Sequence, residues 1–152
     1  MQFYSTNRKT SPVSLREAVV RGLAADRGLF MPEVIRRFPP AFYQNMKEMT
    51  LREISFVVAE AFFGEDVEAG KLKEIVDETL NFDIPLVKVA DNRYSLELFH
   101  GPTLAFKDVG ARFMARLLAY FNKQEGERQV NVLVATSGDT GSAVANGFLD
   151  VP

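Results

Sequence analysis

Val130-Asn131-Val132-Leu133-Val134-Ala135-Thr136-Ser137-Gly138-Asp139-Thr140-Gly141 joins a nearly continuous apolar run to a cluster of hydroxyl, carboxylate and glycine residues. Such a run is expected of a strand covered on both faces. The cluster predicts a turn into a helix carrying Ala143, Val144, Ala145 and Phe148. Working back along the chain, residues 104–122 place Phe106, Val109, Phe113, Met114, Leu117, Leu118 and Phe121 at helical spacing, behind the loop His100-Gly101-Pro102-Thr103. Residues 95–99 alternate like a strand, and residues 86–89 form a short apolar segment after the break at Ile84-Pro85. Strand, helix, strand, helix is the order of a parallel α/β sheet.

The first 80 or so residues read differently, as helices separated by turns. Ser14-Leu15-Arg16-Glu17 and Thr50-Leu51-Arg52-Glu53 both have capping-box spacing, in which a hydroxyl and a carboxylate satisfy orphan amides reciprocally. The first opens a run through Leu15, Ala18, Val19 and Leu23, with Gly22 and Gly28 as stop signals. The second opens a run through Ile54, Phe56, Val57, Val58, Ala61 and Phe62 that is apolar on most faces, predicting a largely buried helix ended by Gly64. A third helix over residues 67–80 puts Leu72, Ile75, Val76 and Leu80 on one face. Met31-Pro32 and Phe38-Pro39-Pro40 read as connecting chain, because proline lacks the N–H donor and disfavours helix. A helical portion over residues 1–83 and an α/β portion over residues 84–152 follow. Two long parallel strands cannot cover the helices packed on them, so the sequence is expected to be the front portion of a longer protein. Self-association of the isolated chain through uncovered apolar faces is the corollary.

Composition removes several function classes. The 152 residues carry 18 basic and 20 acidic side chains, a formal charge of −2 that gives no footprint for nucleic acid or an anionic membrane surface. No run of 18 apolar residues is present to span a bilayer. With no cysteine and one histidine there is no thiol nucleophile, disulfide framework or multi-histidine metal cage. The start Met-Gln-Phe-Tyr-Ser lacks a basic and then apolar signal segment, so the cytoplasm is the expected compartment.

Two loops carry chemistry, each where a strand end meets a helix start, the place where ligands bind in open α/β sheets. Ser137-Gly138-Asp139-Thr140-Gly141 offers glycines for close backbone approach and hydroxyls beside a helix N-terminus, which favours an anion. Helix capping alone explains the same residues. In Phe99-His100-Gly101-Pro102-Thr103-Leu104-Ala105-Phe106-Lys107-Asp108, a lysine follows three apolar residues at the positive end of a helix dipole. That placement favours a neutral, nucleophilic amine, while pairing with Asp108 or a glutamate makes it an ordinary surface lysine. Gly101 is not followed by the Gly-Lys-Ser/Thr of a P-loop. His100 reads as a loop histidine bonded to a backbone carbonyl rather than a proton shuttle. Arg112 and Arg116, one turn apart, fit either a phosphate or a solvated helix face, and Ser137 and Thr103 are candidates for polar contacts in a pocket.

Residues 98–108, followed by Ala135-Thr136-Ser137-Gly138-Asp139-Thr140-Gly141, closely resemble the threonine synthase family, pyridoxal-phosphate enzymes of the tryptophan-synthase-β-like fold. Gly22-Leu23-Ala24 and Asp26-Arg27-Gly28-Leu29-Phe30-Met31-Pro32 resemble that family's helical leader, so the likeness runs over the whole chain. The resemblance implies an α/β fold, a leader domain followed by the start of a parallel α/β domain for pyridoxal 5'-phosphate. It makes Lys107 the catalytic lysine that bonds the cofactor as a Schiff base, with Phe106 shaping the cofactor pocket and Asp108 capping or orienting. Thr136, Ser137, Gly138, Asp139 and Thr140 correspond to the segment that binds the substrate α-carboxylate. Many relatives of the wider fold carry asparagine where this chain has Asp139. The implied reaction converts O-phospho-L-homoserine and water into L-threonine and phosphate, with no metal. The family's cofactor-phosphate loop and its polar group facing the pyridine nitrogen are expected beyond Pro152, so the 152-residue chain alone is expected neither to hold the cofactor tightly nor to turn over. Another lyase of the same fold, such as a threonine dehydratase or cysteine synthase, and a non-catalytic module that holds a small anion are the competing readings.

Overall fold

Ser14 and Thr50 both start helices, as their spacing to Glu17 and Glu53 predicts, but they do so with different completeness. The Thr50 hydroxyl accepts from the Glu53 N–H, and the Glu53 carboxylate accepts from the Thr50 N–H at 2.7 Å, a full capping box. Ser14 accepts from the Glu17 N–H at 3.2 Å, while the Glu17 carboxylate turns to Arg21 at 2.8 Å. Half a box results. Replacing Thr50 by alanine is expected to lower stability by about 1 kcal/mol, measured by urea unfolding followed by circular dichroism.

The computed structural model describes residues 1–124, 126 and 128–151. They fall into two units, Met1–Asp77 and Glu78–Pro152. In the first unit, β1 (Gln2–Ser5) lies between β2 (Val13–Ser14) and β3 (Phe30–Pro32) in an antiparallel sheet. Phe3 pairs with Val13 on one side and Pro32 on the other. This sheet corrects the reading of the segment as helices alone. Its strands are two to four residues long, too short for alternation to register, and Pro32 is tolerated because β3 is an edge strand.

Four α-helices follow or interleave: α1 (Leu15–Arg21), α2 (Pro40–Asn45), α3 (Leu51–Phe63) and α4 (Ala69–Thr79). Gly22, at φ +70°, ends α1 as predicted, which leaves Leu23 beyond the helix and exposed rather than on its buried face. Leu72, Ile75, Val76 and Leu80 are buried, as the third helical pattern requires. In α3 only Ala59 is buried, and Ile54, Phe56, Val57, Val58, Ala61 and Phe62 are half-buried. The expectation of a largely buried helix fails because a unit of this size leaves much of its surface in water.

Asp26 ties the ends of the small sheet together. Its Oδ1 accepts from the Ser5 hydroxyl at 2.5 Å and the Gly28 N–H at 3.0 Å, and its Oδ2 accepts from the Lys9 N–H at 2.9 Å. These donors, the Ser5 hydroxyl foremost, hold the carboxyl below its usual range.

In the second unit β4 (Leu86–Ala90) and β5 (Arg93–Leu96) form an antiparallel hairpin, Leu86 opposite Leu96 and Val87 opposite Ser95, with Asn92 at φ +58° in its turn. The short apolar segment at 86–89 is thus a strand, and it pairs with the strand expected at 95–99, which runs instead over Arg93–Leu96. Residues 130–135 join no ladder among the described residues, and Val130, Val132, Leu133 and Val134 are exposed. The mixed helix-and-strand class stands, and among the described residues both sheets are antiparallel, with no parallel pair formed. An apolar run becomes a strand only where a partner offers its backbone groups, and the hairpin strands take each other's.

The remaining elements are α5 (Lys107–Gln124) and α6 (Gly138–Gly147), which pack together. Ala115 and Ala143 are buried, and a Cβ on Gly147 would lie 2.9 Å from the Ala111 carbonyl carbon. Small residues thus let the two helices approach closely. The predicted helix start at Leu104 moves to Lys107, because Leu104 takes φ +58° and breaks the helical path.

Candidate active site

Lys107 is the first residue of α5, where the helix dipole disfavours a cation. The structure supplies the compensation from 32 residues away: its Nζ donates to Asp139 Oδ2 at 2.6 Å. The same Nζ lies 4.4 Å from the centroid of the Phe106 ring, within cation–π range. Neither Asp108 nor a glutamate takes this role, so the surface-pair alternative in its original form does not hold.

Asp139 sits in the first turn of α6, where a carboxylate is favoured by the dipole. Besides Lys107 it accepts from the Ser137 hydroxyl at 2.7 Å and from the Thr140 N–H. Lys107 first, then these two donors, push its carboxyl far below the ordinary carboxylate range. Ser137 occupies the N-cap position of α6, yet its hydroxyl serves Asp139 and makes no cap bond. The Ser142 hydroxyl bonds the Gly138 carbonyl at 2.7 Å, and Gly138 and Thr136 stay exposed at the mouth of the turn. Packing of α5 against α6 therefore brings together Phe106, Lys107, Ser137, Asp139 and Thr140.

Asp108, the neighbour of Lys107, is fully buried. It accepts from the Thr103 N–H at 2.9 Å and the Thr103 hydroxyl at 2.5 Å, fastening the loop before α5 to its first turn. Gly101 makes room for it: a Cβ there would lie 2.5 Å from Asp108 Oδ2 and 3.0 Å from Phe82 Cζ. The Thr103 hydroxyl is thus committed to Asp108. Sequence reading gave Asp108 a capping or orienting part but did not foresee its burial. The available signal was a carboxylate in the first helical turn, five residues after a threonine and seven after a glycine.

The other candidates have structural partners. His100 Nε2 lies 2.7 Å from Glu97 Oε2, and its ring stacks on Phe99 with centroids 4.9 Å apart. A carboxylate, not the expected backbone carbonyl, holds it. Arg112 donates to the carbonyls of Glu78 and Thr79, and Arg116 pairs with Glu78 at 2.6 Å. Both guanidinium groups serve the C-terminal end of α4, where orphan carbonyls and the negative dipole end favour cations.

The arrangement can do amine chemistry. It offers one lysine amine, an aromatic face, and two helix N-termini whose amides suit anionic groups. This donor set fits a pyridoxal phosphate aldehyde and a substrate carboxylate, and the Phe106 ring beside the amine is exposed.

Comparisons with known proteins identify the family. A family model described as the threonine synthase N terminus matches residues 2–80. The threonine synthase of Serratia marcescens is 42% identical over 148 residues, 97% of this chain and 34% of that protein. The Escherichia coli threonine synthase is 38% identical over 152 residues, and its crystal structure matches all of this chain with a TM-score of 0.90 while 35% of that chain is covered. The pyridoxal-phosphate-bound threonine synthase of Brucella melitensis matches with a TM-score of 0.93 at 33% identity, over 34% of its length. This chain thus spans about a third of the length of these relatives. Because the family model covers more than half of its residues, the chain belongs to the threonine synthase N-terminus family.

Proposed function

We propose that this chain carries the cofactor-bonding lysine and part of the substrate-binding turn of a pyridoxal-phosphate-dependent threonine synthase, which makes L-threonine and phosphate from O-phospho-L-homoserine and water. The observation that carries the reading is the meeting of Lys107 with the Ser137–Thr140 turn at two helix N-termini. Similarity to threonine synthases along the whole chain supports it. We further assign it to the cytoplasm. No described helix is long and apolar enough to cross a membrane.

The residues divide the work. Lys107 would hold the cofactor through its amine, and the same amine would serve as the base for the substrate α-proton. When bound, the cofactor supplies an electron sink for that carbon. The Phe106 ring forms one wall beside the amine. The amides of the 136–140 turn and the Thr136 hydroxyl bind the α-carboxylate, a task that excludes the Asp139 side chain because like charges repel. Asp108 and Thr103 orient the first turn of α5 and so the direction of Lys107.

The test is covalent capture. The full-length protein is mixed with pyridoxal phosphate, reduced with borohydride and digested, and the modified peptide is identified by mass. Lys107 is expected to be modified ahead of the six other lysines of this sequence, and Lys107→Ala to remove that product. Modification spread over the other lysines with Lys107 untouched would overturn the assignment. Phosphate release from O-phospho-L-homoserine by the full-length protein, lost in Lys107→Ala, is the expected activity result.

A further inference from the structure

The pairing of Lys107 with Asp139 raises a chemical conflict. A nucleophilic lysine must present a free electron pair, yet the structure seats its ammonium against a carboxylate held by two further donors. The ammonium is partly sheltered, its side chain 29% exposed, with the Phe106 ring 4.4 Å away. Asp139 itself is anchored: the Ser137 hydroxyl fixes Oδ1 at 2.7 Å, so Oδ2 is the oxygen free to take a cation. Both partners start helices that pack on each other, so the α5 and α6 backbones bring the two side chains into reach.

We propose that Asp139 is a positioning residue that serves as the resting partner of Lys107. It holds the ammonium in the cofactor-free protein, and covalent engagement of the amine breaks this ion pair first. The inference deepens the proposed function and rests on it for its biological meaning, although the ion pair can be tested without the cofactor. The covalent step balances simply. The ammonium and an aldehyde give a protonated imine and water: a C–N bond forms, the carbonyl C–O bond breaks, and two ammonium protons leave in the water. The departing cation leaves Asp139 an anion with one open oxygen, placed to receive the next ammonium group, that of an incoming amino-acid substrate or of Lys107 on its return. A carboxylate in this position suits that exchange where a neutral amide would not, since it attracts the charged form of either amine.

The experiment is competitive labelling of the intact chain with trace acetic anhydride, which needs no cofactor site. Each lysine is read by peptide mass, and the six other lysines serve as internal references. They include Lys71, Lys73 and Lys88, which also lie in ion pairs. Asp139→Asn is expected to raise the labelling rate of Lys107 alone, roughly two- to fivefold, the range of a partly exposed ion pair. Asp139→Glu restores protection at least in part, a rescue that a general loosening of the fold would not give. Ser137→Ala, which keeps the carboxylate but frees its anchor, moves Lys107 in the same direction by less, and it decides the matter if the Asp139 variants fail to fold. Unchanged or slower labelling of Lys107 in Asp139→Asn overturns the proposal. Failure of pyridoxal phosphate capture at Lys107 in the full-length protein would instead overturn the functional reading, leaving the labelling result to stand by itself.

Discussion

Asp108→Ala is expected to destabilise the Glu78–Pro152 unit by about 2–4 kcal/mol and to lower covalent capture at Lys107. The carboxylate is fully buried, and its two oxygens answer two donors of one residue, the N–H and hydroxyl of Thr103. Truncation leaves both part-buried Thr103 donors without their acceptor, at about 1–3 kcal/mol for each unsatisfied group, and leaves a hole beside Gly101 and Phe82. Some of this is offset, since a buried charge no longer has to be desolvated. The offset is incomplete because the N-terminal end of α5, and Arg112 at longer range, already favour the charge. Asp108→Asn discriminates between charge and shape: an amide keeps one acceptor but turns an NH2 toward Thr103, so an intermediate loss is expected. Urea unfolding followed by circular dichroism gives the stabilities. Stability equal to the unaltered chain would show that the Thr103 bonds contribute nothing.

Gly28→Ala is expected to cost about 3 kcal/mol in the Met1–Asp77 unit. An added Cβ would lie 2.0 Å from the Ser5 hydroxyl oxygen and 2.9 Å from the Asn7 backbone nitrogen. A flexible side chain could step aside, but the Ser5 oxygen is held by Asp26 and by the Asn7 N–H. Displacing it loosens the cluster that fastens the loop after β1, and the Asn7 backbone must move as well. The check is a double-mutant cycle with Ser5→Ala, which removes the clashing oxygen. The double variant is expected to lose clearly less stability than the sum of the two single changes, as coupled neighbours do. Additive losses would show that the Gly28 environment absorbs a methyl group elsewhere.

What could be read without coordinates was local. The Thr50–Glu53 and Ser14–Glu17 spacings start helices where expected, Gly22 stops one, and the stripe of Leu72, Ile75, Val76 and Leu80 is buried. These follow from hydrogen bonds and periodicities within a few residues. Errors appear wherever the outcome depends on a distant partner. The small first sheet joins strands drawn from residues 2–5, 13–14 and 30–32, none with enough length to announce itself. Residues 86–90 and 93–96 choose each other, and the apolar run at 130–135 stays unpaired among the described residues, because ladder bonds are a property of two strands together. The apolar faces of α3 show the same limit, since pattern reports what a helix can bury and not what covers it.

At the candidate site the division is sharper. Lys107 stood out in the sequence because a lysine at a helix start runs against the dipole, and the Ser137–Gly141 cluster because hydroxyls and glycines at another helix start run with it. Those residue types and their order determined the chemistry these two loops can offer: one lysine amine and two amide-lined helix ends. Which group answers the lysine was decided only in three dimensions. Asp108 is adjacent in sequence yet turns inward to Thr103, while Asp139, 32 residues on, takes the ammonium at 2.6 Å. The reason is geometric: neighbouring side chains on a helix start point to different sides of it, and the close packing of Gly147 against Ala111 carries the far carboxylate into reach.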